Sequence, residues 1–392
     1  MKKNIYANKT LVTIALIVFI IVMGLKSGSL LVGEKVFSEI ASGNPKVHVI
    51  EKEFIETVHN RIGFLEANSF VRSTLGLQDY YKNKGVYVMS DGYIVGVYPE
   101  TSTDYEYEQT LDFKAFLDDI DVNLIYVNEP IKYVDDSCIT EEFGMQSYIN
   151  ANTDKYLERI GEAGVTYIDL RDSLKDDGYL PKELFYRTDH HWTVSSGKWA
   201  ASKMAGALND YCGYNIDLAK FDDANYEITE YKNCWLGEQG KVVGESYVGL
   251  DDYTCIKPAY NTDYDIIDKN GGIRKGTFDD FVDESVYNTE IDVYNCPRWH
   301  YSYDMHHCIN NDIANGKVLL LGDSYDVVTA PFLSLAVNEV DYLVLREYDK
   351  SFDLRQYIID GGYDTVLVCY AQFMIGAHDD VDSANYRMFD FK

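Results

Sequence analysis

LLLGDSYDVVTAPFLS, from Leu319 to Ser334, opens as a strand and closes as a helix. Three consecutive leucines read as a strand buried on both faces, the kind found in parallel sheets. Gly322-Asp323-Ser324 breaks the run, and a helix is expected near Thr329 with Pro331 tolerated in its first turn. Strand, sharp turn and helix form the repeating unit of an open α/β sheet. Such sheets bind ligands beyond the carboxyl ends of their strands, and Ser324 stands at that place.

Working outward, further apolar runs fit the same sheet. VNLIYVN (Val122–Asn128), VTYIDL (Val165–Leu170), DYLVLR (Asp341–Arg346) and DTVLVCY (Asp364–Tyr370) read as strands, with helices near Asp154–Ala163 and Trp192–Ala207. Their alternation predicts a three-layer α/β/α fold around a parallel sheet. Gly85–Tyr98 reads as a hairpin about Ser90-Asp91-Gly92, and Glu51–Val71 as a helix. From about 225 to 310 the pattern changes to Tyr, Thr, Gly and Asp, with short alternating runs such as KVVGESYVG in place of helices. A β-rich insertion into one α/β domain is expected there.

The chain has 392 residues, 34 of them tyrosine, and a formal net charge of −29. A surface that acidic repels phosphate backbones, which disfavours nucleic acid as a partner. At the amino terminus, MKKNIYANK carries three lysines and no acid, and Leu11–Leu25 follows without a charge. Lysines before an apolar run hold that end in the cytoplasm, so the bulk of the chain is expected outside the cell. Residues 1–32 are expected to form a cytoplasmic tip and an uncleaved single-pass membrane helix, in preference to a cleaved signal. Residues 45–392 would then form the exported domain. The seven cysteines make no CxxC pair, and a bridge is allowed among Cys234, Cys255, Cys296 and Cys308.

The second informative stretch is FYRTDHHWT, Phe185–Thr193. A nucleophilic serine needs a base, and a histidine base needs a carboxylate to orient it. In an extended segment residues i and i+2 share a side, so Asp189 and His191 would face Ser324 while His190 points away. The bland alternative makes Asp189 or Thr188 a helix N-cap and GDS a tight turn. Another alternative gathers His300, His306, His307 and Cys308, with His190 or His191, into a zinc site, although no ligand spacing supports it.

TDHHW followed by GDSY, with a β-rich segment between, resembles the DHHW proteins and the SGNH-hydrolase-like enzymes that O-acetylate exopolysaccharides, such as the alginate acetylation proteins. The resemblance implies an SGNH-like fold and a catalytic triad of Ser324, His191 and Asp189, with no metal or cofactor needed. It also maps Trp192 onto the family motif, as a candidate substrate or oxyanion contact. Tyr325 and Arg187 flank the motifs as candidate substrate contacts, and Asn128 in YVNEPIK is an oxyanion candidate by position. The expected activity is O-acetyl transfer to a cell-surface or secreted polysaccharide. An acetylesterase of the same fold, or a silent glycan-binding or assembly protein, stays open. The resemblance further implies a multipass membrane O-acyltransferase as partner.

Overall fold

The computed structural model describes residues 61–77, 80–81, 85–133, 135–268, 270–282, 292–295, 307–376 and 385–392. The chain divides into two compact units, Met1–Leu77 and Gln78–Lys392. In the first, the described part is the helix Arg61–Thr74, the carboxyl half of the expected Glu51–Val71 helix. The expected membrane segment lies outside the described residues. Among the described residues no helix is long and apolar enough to cross a membrane.

Thirteen strands are described in the second unit. A small antiparallel sheet consists of β1 (Tyr80–Tyr81), β2 (Val86–Val88) and β3 (Ile94–Gly96), so the hairpin about Ser90-Asp91-Gly92 is present. Next come β4 (Asn123–Glu129) and β5 (Thr166–Asp169). The β6 (Tyr226–Trp235) and β7 (Asp251–Pro258) pair forms a separate antiparallel ribbon. The remaining strands are β8 (Tyr264–Ile267), β9 (Ile273–Gly276), β10 (His307–Asn310), β11 (Lys317–Leu321), β12 (Glu339–Leu343) and β13 (Thr365–Ala371).

The main sheet has eight strands in the order β5-β4-β13-β11-β12-β10-β8-β9. Its first five are parallel, as expected. The last three run antiparallel, which corrects the all-parallel expectation: the sheet is mixed. All three come from the region expected to be an insertion, so part of that region extends the sheet instead of standing apart. Without them β12 would present a bare edge, a template for unwanted pairing. Burial alternates along β8 and β10, as suits strands with one face covered, whereas β12 and β13 are buried throughout.

KVVGESYVG also departs from its reading. It forms two short helices, Glu238–Val243 and Glu245–Val248, separated by Gly244 at φ 110°. The alternation that suggested a strand is broken by a conformation that glycine alone adopts freely. A helix at Asp104–Asp119, not anticipated from the sequence, packs Phe113 and Leu117 into the core. The predicted helices near Asp154 and Trp192 appear as Ile149–Glu162 and Val194–Cys212. Cys308 and Cys369 are buried free thiols, so Cys308 makes no bridge of the kind allowed above, and Cys296 lies outside the described residues.

Candidate active site

The site is assembled where β11 ends. Leu319, Leu320 and Leu321 are fully buried between parallel neighbours, which fixes where the chain must turn. Asp323 holds that turn. Its Oδ1 accepts the Tyr325 N–H at 2.8 Å, and its Oδ2 accepts the N–H of Ala371, the last residue of β13, at 2.9 Å. The turn is therefore pinned to the neighbouring strand, and Ser324 projects from it.

TDHHW arrives from another part of the chain. His191 Nε2 lies 2.8 Å from Ser324 Oγ, and His191 Nδ1 lies 2.6 Å from Asp189 Oδ1. Asp189 has no exposure, and His191 and Ser324 little. Asp189 also accepts the His191 backbone N–H at 3.0 Å and, through Oδ2, the Glu238 N–H at 2.6 Å. Burial by itself pushes the Asp189 carboxyl up, but His191, His190 and the Glu238 N–H together hold it well below the usual carboxylate range. The carboxylate is thus ionised and fixes the Nδ1–H tautomer, leaving Nε2 to accept the serine proton.

Contacts around Thr188 and Gly237 explain why Asp189 stays in place. Thr188 donates its backbone N–H and its Oγ1–H to Asp251 Oδ2 at 2.8 and 2.6 Å. Thr188 Oγ1 in turn accepts the Gly237 N–H at 2.8 Å. A Cβ at Gly237 would stand 2.5 Å from Asp189 Cβ and from Thr188 O, so only glycine permits this approach. The helix N-cap that the bland reading assigned to Asp189 or Thr188 is supplied by Thr193, whose side chain accepts the Ser196 N–H. That leaves Asp189 available to His191.

Several expectations need correction. His190 does not point away: its Nδ1 is 3.3 Å from Asp189 Oδ1 and its ring centroid 3.7 Å from that of His191. The segment bends at Arg187–His191, so the alternation of an extended strand does not apply. Trp192 is a strut and not a substrate contact. Buried to 1 % exposure, it donates its indole N–H to Tyr325 O at 2.8 Å, tying one motif to the other. Tyr325 returns the tie by donating its hydroxyl to His190 O at 2.6 Å, while its ring, with His190 and Phe373, lines a cleft beside the triad.

Arg187 donates to Leu250 O at 3.1 Å and lies 3.9 Å from Asp251 Oδ1, so its guanidinium is engaged within the protein. Asn128 donates its amide to Asp169 Oδ1 at the end of β5. Since β13 separates β4 from β11, Asn128 is two strands from the strand that ends at Ser324, roughly 10 Å at ordinary strand spacing. For the oxyanion, the Ser324 backbone N–H has no acceptor among the described residues and remains available.

Sequence reasoning missed Lys132 and Gln239. Both line the cleft, and Lys132 Nζ donates to Ile94 O at 2.7 Å, Arg187 O at 3.1 Å and Gln239 Oε1 at 3.4 Å. No motif marks either residue, because only the fold brings the hairpin, β4 and the Glu238 helix together.

Asp189, His190 and His191 present atoms within 4.8 Å that could gather a metal ion. However, both imidazole nitrogens of His191 are already engaged by Asp189 and Ser324. Of the suggested zinc cluster, His300 and His306 lie outside the described residues. His307 instead pairs with Glu339 at 2.6 Å across the β10–β12 edge, and Cys308 is buried within the sheet.

Residues 112–231 match the model of the SGNH hydrolase-like domain of acetyltransferase AlgX. The match includes Asp189, His191 and Trp192 and ends before Ser324. No curated protein matches the chain. Among solved structures, Bacillus cereus PatB1 superposes with a TM-score of 0.59 at 18 % identity, covering 78 % of this chain and 99 % of PatB1. PatB1 with a sulfonyl adduct gives the same TM-score at 20 % identity, covering 78 % and 98 %. A DHHW family protein from Eubacterium siraeum gives 0.57 at 15 % identity, covering 80 % and 97 %. In sequence over residues 112–231 this chain is similar to the SGNH hydrolase-like domain of AlgX, and in fold over most of its length it is similar to PatB1 and to a DHHW family protein.

Proposed function

We propose that this chain is a serine acyl-transfer enzyme that O-acetylates a cell-surface or secreted polysaccharide. The observation that carries the reading is the unbroken relay from Asp189 through His191 to Ser324 at 2.6 and 2.8 Å. Ser324 Oγ attacks the carbonyl of an acetyl donor while its proton passes to His191 Nε2. The leaving oxygen takes that proton from His191, and the acetyl group remains as an ester on Ser324. A sugar hydroxyl then gives its proton to His191, attacks the ester and departs acetylated, returning the proton to Ser324. The Ser324 N–H, without an acceptor among the described residues, holds the oxyanion in both halves. The acetyltransferase named in the matching family model favours a sugar hydroxyl over water as acceptor.

In the same reading, Leu11–Leu25 anchors the chain, residues beyond it face outward, and a multipass membrane O-acyltransferase supplies the acetyl group. The lysine-flanked apolar run and the acyl-transfer site support that arrangement. With p-nitrophenyl acetate as donor and a panel of neutral and acidic oligosaccharides as acceptors, the wild type should release nitrophenol and yield acetylated sugar, and Ser324→Ala neither. Nitrophenol release without acetylated sugar would assign an esterase. Wild-type rates in Ser324→Ala would remove the reading altogether.

A further inference from the structure

Beneath the Ser324 turn lies a group of carboxyls that the relay does not use. Glu129 closes β4, Asp323 and Asp326 flank the nucleophile, and all three have no exposure. Their carboxyl oxygens approach within 4.8 Å of one another. The register explains the meeting: Glu129 pairs with Ala371 on β13, and the Ala371 N–H reaches across to Asp323.

The three carboxyls are not alike. Asp323 accepts two backbone N–H groups, and Asp326 Oδ2 accepts the Asp323 N–H at 3.2 Å while resting over Gly322, where a Cβ would meet it at 2.3 Å. Glu129 Oε1, Glu129 Oε2 and Asp326 Oδ1 find no donor from any other residue. An ionised carboxyl buried without a donor is costly, whereas a carboxyl carrying its proton can donate to its neighbour. The three oxygens without a donor fall short of the six to eight that calcium takes.

We propose that Glu129 and Asp326 hold a shared proton, and that this neutral bridge is a positioning device joining the nucleophile turn to the end of β4. Glu129 is a positioning residue, not a catalytic one. The groups facing the pair are Asp323 and the Tyr325 phenol from the turn and the Cys369 thiol from β13, with His191 and Arg346 beyond Asp323. Burial, then the neighbouring carboxylates, raise both Glu129 and Asp326 far above ordinary carboxyls, in keeping with a retained proton. Loss of that proton at alkaline pH would crowd carboxylates into one dry space and loosen the turn.

The inference takes Ser324 as the nucleophile from the reading above, but infrared spectroscopy tests the proton without turnover. At mildly alkaline pH, where exposed carboxyls are ionised, wild type and Ser324→Ala should both show a protonated-carboxyl carbonyl band. Glu129→Gln should lose or shift it. Glu129→Ala should lower kcat about tenfold or more with a smaller change in KM, and Glu129→Gln should recover most of that loss and flatten the alkaline fall in kcat. A wild type without the band, or a band unmoved in Glu129→Gln, would overturn the shared proton. A Glu129→Gln variant folded yet as slow as Glu129→Ala would overturn the positioning role.

Discussion

At the residue scale the account rests on Asp189, which is buried, ionised and held by four contacts from three residues, His190, His191 and Glu238. Asp189→Asn keeps the shape but permits the wrong imidazole tautomer, so kcat should fall on the order of 10³- to 10⁴-fold with KM little changed, as steady-state kinetics would show. Because its folded carboxyl is depressed, Asp189 contributes stability above the ordinary carboxylate range and loses it as pH falls toward the folded value. The stability gap between wild type and Asp189→Asn should therefore narrow in urea titrations below about pH 4.

Lys132 behaves in the opposite sense. Burial, only partly offset by Asp189, Asp251 and Asp91, pulls its ammonium down to about 7. Between about pH 7 and pH 10 the unfolded chain binds a proton that the folded chain has lost, so stability rises with pH across that window. Lys132→Met lacks this gain. Urea titrations should show the wild type improving on the variant by a few kcal/mol (~2–4) from the lower to the higher pH. No change in the difference would mean that Lys132 keeps its proton in the fold.

At the element scale the relay depends on turns more than on helices or strands. Gly237 is where the Glu238 helix meets Asp189, and Gly237→Ala should displace one of them. The expected result is about a tenfold or larger loss of kcat, with the Glu238 N–H no longer protected in hydrogen exchange. Trp192 shows what motif reading can and cannot tell. The motif placed a tryptophan beside the histidines, yet only the fold shows its N–H spanning to Tyr325 O. The meeting of Asp189, His191 and Ser324 and the strands β4, β5, β11, β12 and β13 were legible because buried parallel strands leave apolar runs and serine, histidine and aspartate in paired motifs leave recognisable residue types. His190 was misjudged because alternation assumes extended backbone, and the chain bends there. The Asp104–Asp119 helix was illegible for a related reason: two of its buried positions are Glu106 and Thr110, which blur the apolar stripe.

For the whole molecule, the mixed sheet separates a buried parallel half, which carries the site, from an antiparallel edge. Leu320 has no exposure at the centre of the sheet, and Leu320→Ala should cost about 2–5 kcal/mol in denaturant titrations. Ile273, on the edge strand β9, is 68 % exposed, and Ile273→Ala should stay within about 0.5 kcal/mol of wild type. A large loss from the edge substitution would show that the outer strands support the fold far more than their exposure suggests. The single measurement that bears most directly on the central claim is peptide mass spectrometry of the protein quenched in acid during reaction with p-nitrophenyl acetate. The account predicts one acetyl group on the peptide containing Ser324, absent in Ser324→Ala and strongly reduced in His191→Ala. Turnover at the wild-type rate in Ser324→Ala, or an acetyl group carried on another residue instead, would contradict it.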